Sequence, residues 1–347
     1  MKIVADDKIP YLNGILEQVA QEVCYVPAKE ITASVVRDAD VLLTRTRTRC
    51  DRSLLDGSKV EFIGTATIGT DHIDLDYCHH NGITVVNAPG CNAPAVAQWV
   101  HSAILQWMQA NKVSHPITLG VVGVGHVGSI VARWAKQLGY RILLNDPPLA
   151  ECYGRGSGIG DRGSGNDLSS LPSQLSPLNL LQRECDIITF HTPLTKEGKY
   201  PTWHLCDEAF LQGLNHCKLI LNAARGAVCD NEALLRWQGD VALDCWEHEP
   251  NINHELLDKA FVATPHIAGY SRQGKMRGTA MVIEALNRHY GWNLLAPEVD
   301  KPYLGAATVS PQLIMDSYNP LHDTATLKTA PHLFESLRNN YHLREEV

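Results

Sequence analysis

The chain has 347 residues, 44% of them hydrophobic and 20% charged, which excludes a largely disordered or collagen-like chain and makes two domains the expectation, since one core rarely serves that length. A formal charge of −8 argues against nucleic acid as the main partner, because phosphate contacts need a basic face. No run approaches the roughly 18 consecutive apolar residues of a membrane span, and the start of the chain has no signal-peptide apolar region, so no membrane partner and a cytoplasmic location are expected.

The opening third alternates short apolar runs, at residues 2–5, 41–44, 62–64 and 83–86, with helical stretches such as 11–24. That alternation predicts a parallel α/β sheet. Pro89-Gly90 breaks the pattern, and a helix from Ala93 to about Gln109, apolar at Val96, Val100, Ile104, Leu105 and Met108, leads into a second domain. There a strand at 118–122, a helix through Ile130 to Leu138 and a strand at 141–144 form one βαβ unit. Residues 154–170, rich in Gly, Ser and Asp, predict a mobile surface loop without catalytic duty. Strands resume at 186–190, 219–222, 241–244 and 261–264, each ending in a polar residue, where open α/β sheets take ligands. A helix from Gly274 to about Tyr290 follows, then a polar tail with a helical candidate at 332–344. The ten cysteines show no CxxC pair or repeated spacing and read as buried thiols, with no disulfide framework and no metal site expected.

Gly123, Gly125 and Gly128 form GxGxxG with His126 and Val127, directly after the 118–122 strand and at the head of a helix, and Asp146 lies 18 residues beyond Gly128 at the end of the next strand. The first glycine permits the turn, the second lets backbone approach a pyrophosphate, and the third lets helix and strand pack closely. Asp146 suits the ribose hydroxyls and repels a 2′-phosphate, which favours NAD over NADP. Three later strand ends supply Arg225, Glu249 and His266. An Arg to fork a carboxylate, a His to take a hydroxyl proton and a carboxylate to orient the His suit hydride transfer at a 2-hydroxy acid.

The order of these motifs, with His191-Thr192-Pro193-Leu194 between them, resembles the D-isomer-specific 2-hydroxyacid dehydrogenases. The segments 64–72, 88–93, 146–148 and 266–270 resemble a branch of that family acting on a phosphorylated 2-hydroxy acid. The resemblance implies two doubly wound, Rossmann-like parallel-sheet domains: residues 1–93 with 267–290 bind substrate, 94–266 bind NAD, the active site lies in the cleft between them, and 291–347 is a small, shortened C-terminal dimerisation segment. It implies Arg225 and Glu249 as active-site residues and His266 as proton donor and acceptor. Cofactor contacts carry over to Asp146, Thr192, Asp244 and Gly269, and substrate contacts to Thr46, Thr67 and Tyr270. The partners implied are a small phosphorylated 2-hydroxy acid and a second copy of the chain.

Arg45, Arg47 and Arg49 alternate with Thr44, Thr46 and Thr48, so in an extended run the guanidiniums share one face, and Arg45 is expected to help bind phosphate. Two other readings stand beside this one. The first is a family member acting on another 2-hydroxy acid such as 3-phosphoglycerate; the second is a non-catalytic NAD-sensing protein, whose mark would be a missing member of the Arg, Glu and His set.

Overall fold

The structure, a computed structural model, describes residues 1–154, 175–299 and 308–347. Beyond Gly154, the segment expected to be a mobile loop lies outside the described residues. The chain divides into two compact units, Met1–Asn92 with Ser271–Pro302 and Ala93–Tyr270 with Tyr303–Val347.

In the first unit β1 (Lys2–Asp6), β2 (Glu22–Val26), β3 (Val41–Thr44), β4 (Phe62–Thr65) and β5 (Thr84–Val86) form one parallel sheet in the order β2-β1-β3-β4-β5. Strand alternation serves both faces. Ile3, Leu43 and Phe62 enter one cluster with Val282, Ile283 and Leu286 of the helix Arg272–Tyr290, while Val4, Leu42 and Ile63 enter another. Both faces are therefore covered, as an all-parallel sheet requires. The Ser271 hydroxyl caps that helix by accepting from the Gly274 N–H at 2.9 Å.

The stretch 11–24 is not the predicted helix. Tyr11 and Gly14 sit at φ +60° and +82°, outside the right-handed helical region, and only a 3₁₀ turn, Leu16–Gln18, forms. The buried Leu12 and Leu16 account for the helical spacing, and Glu22–Val26 pairs along β1 as a partly exposed edge strand.

In the second unit β6 (Thr118–Val122), β7 (Arg141–Asn145), β8 (Ile187–Phe190), β9 (Leu219–Asn222), β10 (Asp240–Leu243) and β11 (Val262–Ala263) form a parallel sheet in the order β11-β10-β9-β8-β6-β7. The chain steps from β6 to β7 on one side and returns to β8 on the other. The crevice between β6 and β8 is thus the switch point where such sheets bind ligands. The helix Ala93–Ala110 is buried along most of its length, and its Trp99 Nε1 donates to the Thr264 hydroxyl at 3.0 Å.

The C-terminal tail is more structured than its polarity suggests. Helices Pro311–Ser317, Pro320–Thr329 and Phe334–Asn339 pack within the second unit through Ile314 and Tyr318 in one core cluster and Leu327 and Phe334 in the other. The long final helix expected over 332–344 is confined to Phe334–Asn339 after a 3₁₀ turn, Pro331–Leu333.

Candidate active site

Three turns at the carboxyl ends of β9, β10 and β11 carry the candidate catalytic residues, all within the second unit. After β9, the Asn222 side chain donates from Nδ2 to the Arg225 carbonyl at 2.9 Å and accepts from the Ala224 N–H at 3.0 Å, folding the turn that presents Arg225. Arg225 stays partly exposed and donates from Nη1 to the Ala224 carbonyl at 2.9 Å. The next residue must be glycine, because a Cβ on Gly226 would stand 2.0 Å from the Trp246 carbonyl oxygen of the neighbouring turn.

After β10, Asp244 is 1% exposed. Its Oδ1 accepts from the Thr264 hydroxyl at 2.6 Å and the Ile267 N–H at 2.7 Å, and its Oδ2 accepts from the Ala268 N–H at 3.0 Å. Burial raises its pKa above the usual carboxylate value, against the opposing pull of His266 and of these donors. In this conformation the Asp244 carboxylate shapes the 264–268 turn. His266 rides on that turn at φ +57°, its N–H donating to the Asp244 carbonyl at 2.9 Å.

The imidazole Nδ1 of His266 lies 2.5 Å from Glu249 Oε1, with the two side chains 25% and 23% exposed. Burial alone would raise the Glu249 pKa, but the His266 hydrogen bond and charge, with Arg338 and the Trp246 backbone, outweigh it and hold the carboxyl below its usual range. An ionised Glu249 only accepts, so Nδ1 carries the proton and Nε2 is the ring nitrogen left for proton transfer.

Two arginines of the tail join this corner, and nothing in the sequence pattern singled them out. Arg338 hydrogen-bonds the Tyr270 side chain and lies close enough to Glu249 and Cys245 to interact with their charges. The buried Arg344 donates to the carbonyls of Ile267 at 3.0 Å, Tyr270 at 3.2 Å and Ala95 at 3.0 Å, and also to that of Ala268. It therefore ties down the turn that carries His266, Gly269 and Tyr270. The only local signal for either arginine is its unusual position, a charged residue four after Phe334 or in the chain's last four.

At the switch point Gly123 takes φ +88°, and a Cβ there would stand 2.8 Å from the His191 backbone. A Cβ on Gly128 would stand 1.9 Å from the Gly123 carbonyl oxygen, so that glycine lets the helix His126–Gln137 press onto β6. At Gly125 a Cβ would meet nothing among the described residues within 4 Å. Val127 lies in the first turn with His126, whose pKa burial lowers. Asp146, at the end of β7, accepts from the Val124 N–H at 2.9 Å and the Leu149 N–H at 2.9 Å. After β8 the Thr192 hydroxyl is buried without a hydrogen-bond partner among the described residues. Burial, with His101 nearby, pushes the His191 imidazolium pKa down to about 3, so this ring is neutral at pH 7.

In the first unit, β3 ends at Thr44 and the chain turns at Thr46 and Arg47. The extended alternation expected of 44–49 is therefore not formed. Arg45 Nε instead donates to Asp6 Oδ2 at 3.0 Å, Asp6 being 0% exposed, so β1 and β3 meet at an ion pair across this sheet's own switch point. Arg49 turns to Asp51 at 2.7 Å. Thr46 is exposed, and the Thr67 hydroxyl is 2.7 Å from that of Thr65.

Among the described residues one trio has metal-ligand spacing: His204, Asp230 and Glu247, with ligand atoms within 4.8 Å of one another. Its groups already serve the fold, since His204 Nε2 is 2.7 Å from Glu247 Oε1, Glu247 Oε2 accepts from the Asn231 N–H and Asp230 caps the helix Asn231–Arg236. No helix among the described residues is long and apolar enough to cross a membrane.

A glycine fingerprint at one switch point and an Arg, Glu and His on three adjacent strand ends are the parts that a hydroxy acid dehydrogenase site needs. The model of the family described as D-isomer specific 2-hydroxyacid dehydrogenase, catalytic domain, matches residues 3–332, and the chain belongs to that family. Erythronate-4-phosphate dehydrogenase of Bacteroides fragilis is 47% identical over 357 residues, covering 100% of this chain and 97% of its own length. Erythronate-4-phosphate dehydrogenase of Escherichia coli O157:H7 is 40% identical over 366 residues, covering 100% and 92%. Among solved structures, NAD+-bound 3-phosphoglycerate dehydrogenase of Entamoeba histolytica superposes with a TM-score of 0.66 at 25% identity, covering 87% of this chain and 99% of that one. D-lactate dehydrogenase from Aquifex aeolicus shares the fold, with a TM-score of 0.64 at 23% identity over 84% of this chain and 96% of that one.

Proposed function

We propose that the chain oxidises 4-phospho-D-erythronate at C2 with NAD, giving 2-oxo-3-hydroxy-4-phosphobutanoate, a step of pyridoxal 5′-phosphate biosynthesis. The observation that carries the chemistry is the His266–Glu249 pair at 2.5 Å beside the turn of Arg225. The substrate is supported by relatives named erythronate-4-phosphate dehydrogenase at 40% and 47% identity over the full chain, against 25% for the 3-phosphoglycerate enzyme.

The switch-point residues fit a dinucleotide. Open space at Gly125, the orphaned Thr192 hydroxyl and Asp146 at the end of β7 are the parts that a pyrophosphate and a ribose diol need. Gly123, Gly125, His126, Val127, Gly128, Asp146 and Thr192 would hold NAD, with Asp244 and Gly269 completing its nicotinamide end. Bound NAD supplies the hydride acceptor. Arg225 forks the substrate carboxylate and fixes C2. His266 Nε2 takes the hydroxyl proton as the hydride departs, and Glu249 stabilises the imidazolium that forms before the proton passes to solvent. Thr46 and Thr67, at the carboxyl ends of their strands, offer hydroxyls for further substrate contacts.

A side-by-side assay tests the reading: NADH formation with 4-phospho-D-erythronate or 3-phospho-D-glycerate, with a 2-oxo acid present in parallel to reoxidise bound NADH. Consumption of phosphoerythronate alone is expected. Turnover of phosphoglycerate instead would transfer the protein to another reaction of the same family, and no turnover despite NAD binding would favour the non-catalytic reading. We extend the proposal to a cytoplasmic homodimer, for which sedimentation should give twice the mass of one chain.

A further inference from the structure

We propose that Arg338 is the residue that reads the phosphate of the substrate: the helix Phe334–Asn339 delivers its guanidinium to the side chain of Tyr270, beside Glu249 of the catalytic pair. This rests on the phosphorylated-acid reading above and adds to it a residue from a part of the chain to which the sequence motifs assign no chemistry.

The delivery is rigid from both sides. Phe334 is 1% exposed in the same core cluster as Val228, Cys229 and Trp246, and Leu337 packs against that cluster. Arg338 lies four residues on from Phe334, on the same helical face. The Tyr270 turn is held in its turn by Arg344 through the carbonyls of Ile267 and Tyr270, and the rings of Tyr270 and Tyr341 meet edge to face at 6.2 Å. Cation and tyrosine are thus preorganised, which is what an anion subsite needs.

Charge balance points the same way. The carboxylate of a simple 2-hydroxy acid needs one guanidinium, which Arg225 provides. Around the site Glu249 is shared with His266, and Asp244 is consumed by backbone N–H groups. Arg338 is a second guanidinium at the site, facing Tyr270 as well as Glu249; a phosphate ester adds about 1.5 to 2 negative charges at neutral pH. Burial works against the Arg338 cation, but Tyr270, Glu249 and Cys245 outweigh it and raise its pKa, so the charge is kept. Its Nε–H is buried with no acceptor among the described residues, the mark of a guanidinium whose partners are incomplete. Arg45, the arginine that the sequence pattern favours for this role, has its Nε committed to Asp6.

The test compares 4-phospho-D-erythronate with D-erythronate, the same acid without the phosphate, for the full-length wild type, Arg338→Gln and Arg338→Lys. Arg338→Gln should lose roughly 10- to 100-fold in kcat/KM on the phosphorylated acid, chiefly through KM, as expected for a charge-assisted hydrogen bond. On D-erythronate its loss should be clearly smaller, limited to what the Arg338 charge contributes at Glu249. Arg338→Lys should fall between, since a point charge replaces part of the fork. Where D-erythronate turns over too slowly to time, its inhibition constant serves. Equal losses on both acids would overturn the proposal and make Arg338 a positioning residue for Glu249 and Tyr270; an unchanged KM for the phosphorylated acid would also overturn it. If Arg338→Gln fails to fold, the selectivity of Arg338→Lys decides the question. A wild type with no preference for the phosphorylated acid would refute the substrate reading instead.

Discussion

Replacing Glu249 by Gln keeps the size of the side chain and a carbonyl oxygen to accept from His266 Nδ1, but it removes the charge that faces the ring at 2.5 Å. Both side chains are about three-quarters buried, so solvent screens the pair only in part. A charge-assisted hydrogen bond in such a setting contributes about 1.5–3 kcal/mol and a neutral one about 1 kcal/mol, leaving a loss of about 1.5 kcal/mol in the stabilisation of the imidazolium. At about 1.4 kcal/mol per decade, kcat should fall by roughly tenfold. The KM for the hydroxy acid should hold within about threefold, because Arg225 is untouched. Steady-state NADH formation between about pH 5 and 9 reads both quantities. A kcat within twofold of wild type across that range, with normal NADH binding, would refute the role given to Glu249.

The glycines separate packing from ligand approach. Gly128→Ala places a Cβ 1.9 Å from a backbone oxygen, so it should lower the melting temperature by several degrees. Gly125→Ala meets only open space and should leave that temperature unchanged while weakening NADH binding about tenfold, measured by fluorescence titration. Asp244→Asn turns one oxygen into an NH₂ group that opposes the Ala268 N–H or the Ile267 N–H, and should cost about 2 kcal/mol of stability with a larger fall in kcat, as the His266 turn loosens. Stability itself should depend on Glu249. Its folded pKa is depressed, so its contribution is complete above the unfolded value of about 4.3 and is lost as pH falls through the lower folded value. The gap in melting temperature between wild type and Glu249→Gln should therefore close on acidification.

Much of the second sheet was legible because buried parallel strands read as continuous apolar runs, and Val121-Val122 led directly into a fingerprint in which Gly123 and Gly128 have steric reasons. Arg225, Glu249 and His266 were legible as residues at strand ends, since the topology places every such end along one edge. The edge strand Glu22–Val26 was not, because a half-exposed strand next to a pair of buried leucines imitates a helix. The Arg45 run failed for a different reason: alternation predicts a shared face only while the backbone stays extended, and the turn at Thr46 ends that. Arg338 and Arg344 were invisible because their roles come from contacts with residues about 70 positions away, and a single arginine in a polar tail carries no local pattern.

Hydride transfer from C2 of the proposed substrate is the claim on which the rest depends, and its label can be followed directly. 4-Phospho-D-erythronate carrying deuterium at C2, incubated with the protein and NAD, should yield NADH deuterated at C4 of the nicotinamide, seen by mass spectrometry and proton NMR, and His266→Gln should abolish it. Unlabelled NADH, or substrate recovered with its deuterium intact while NAD binds normally, would contradict the account.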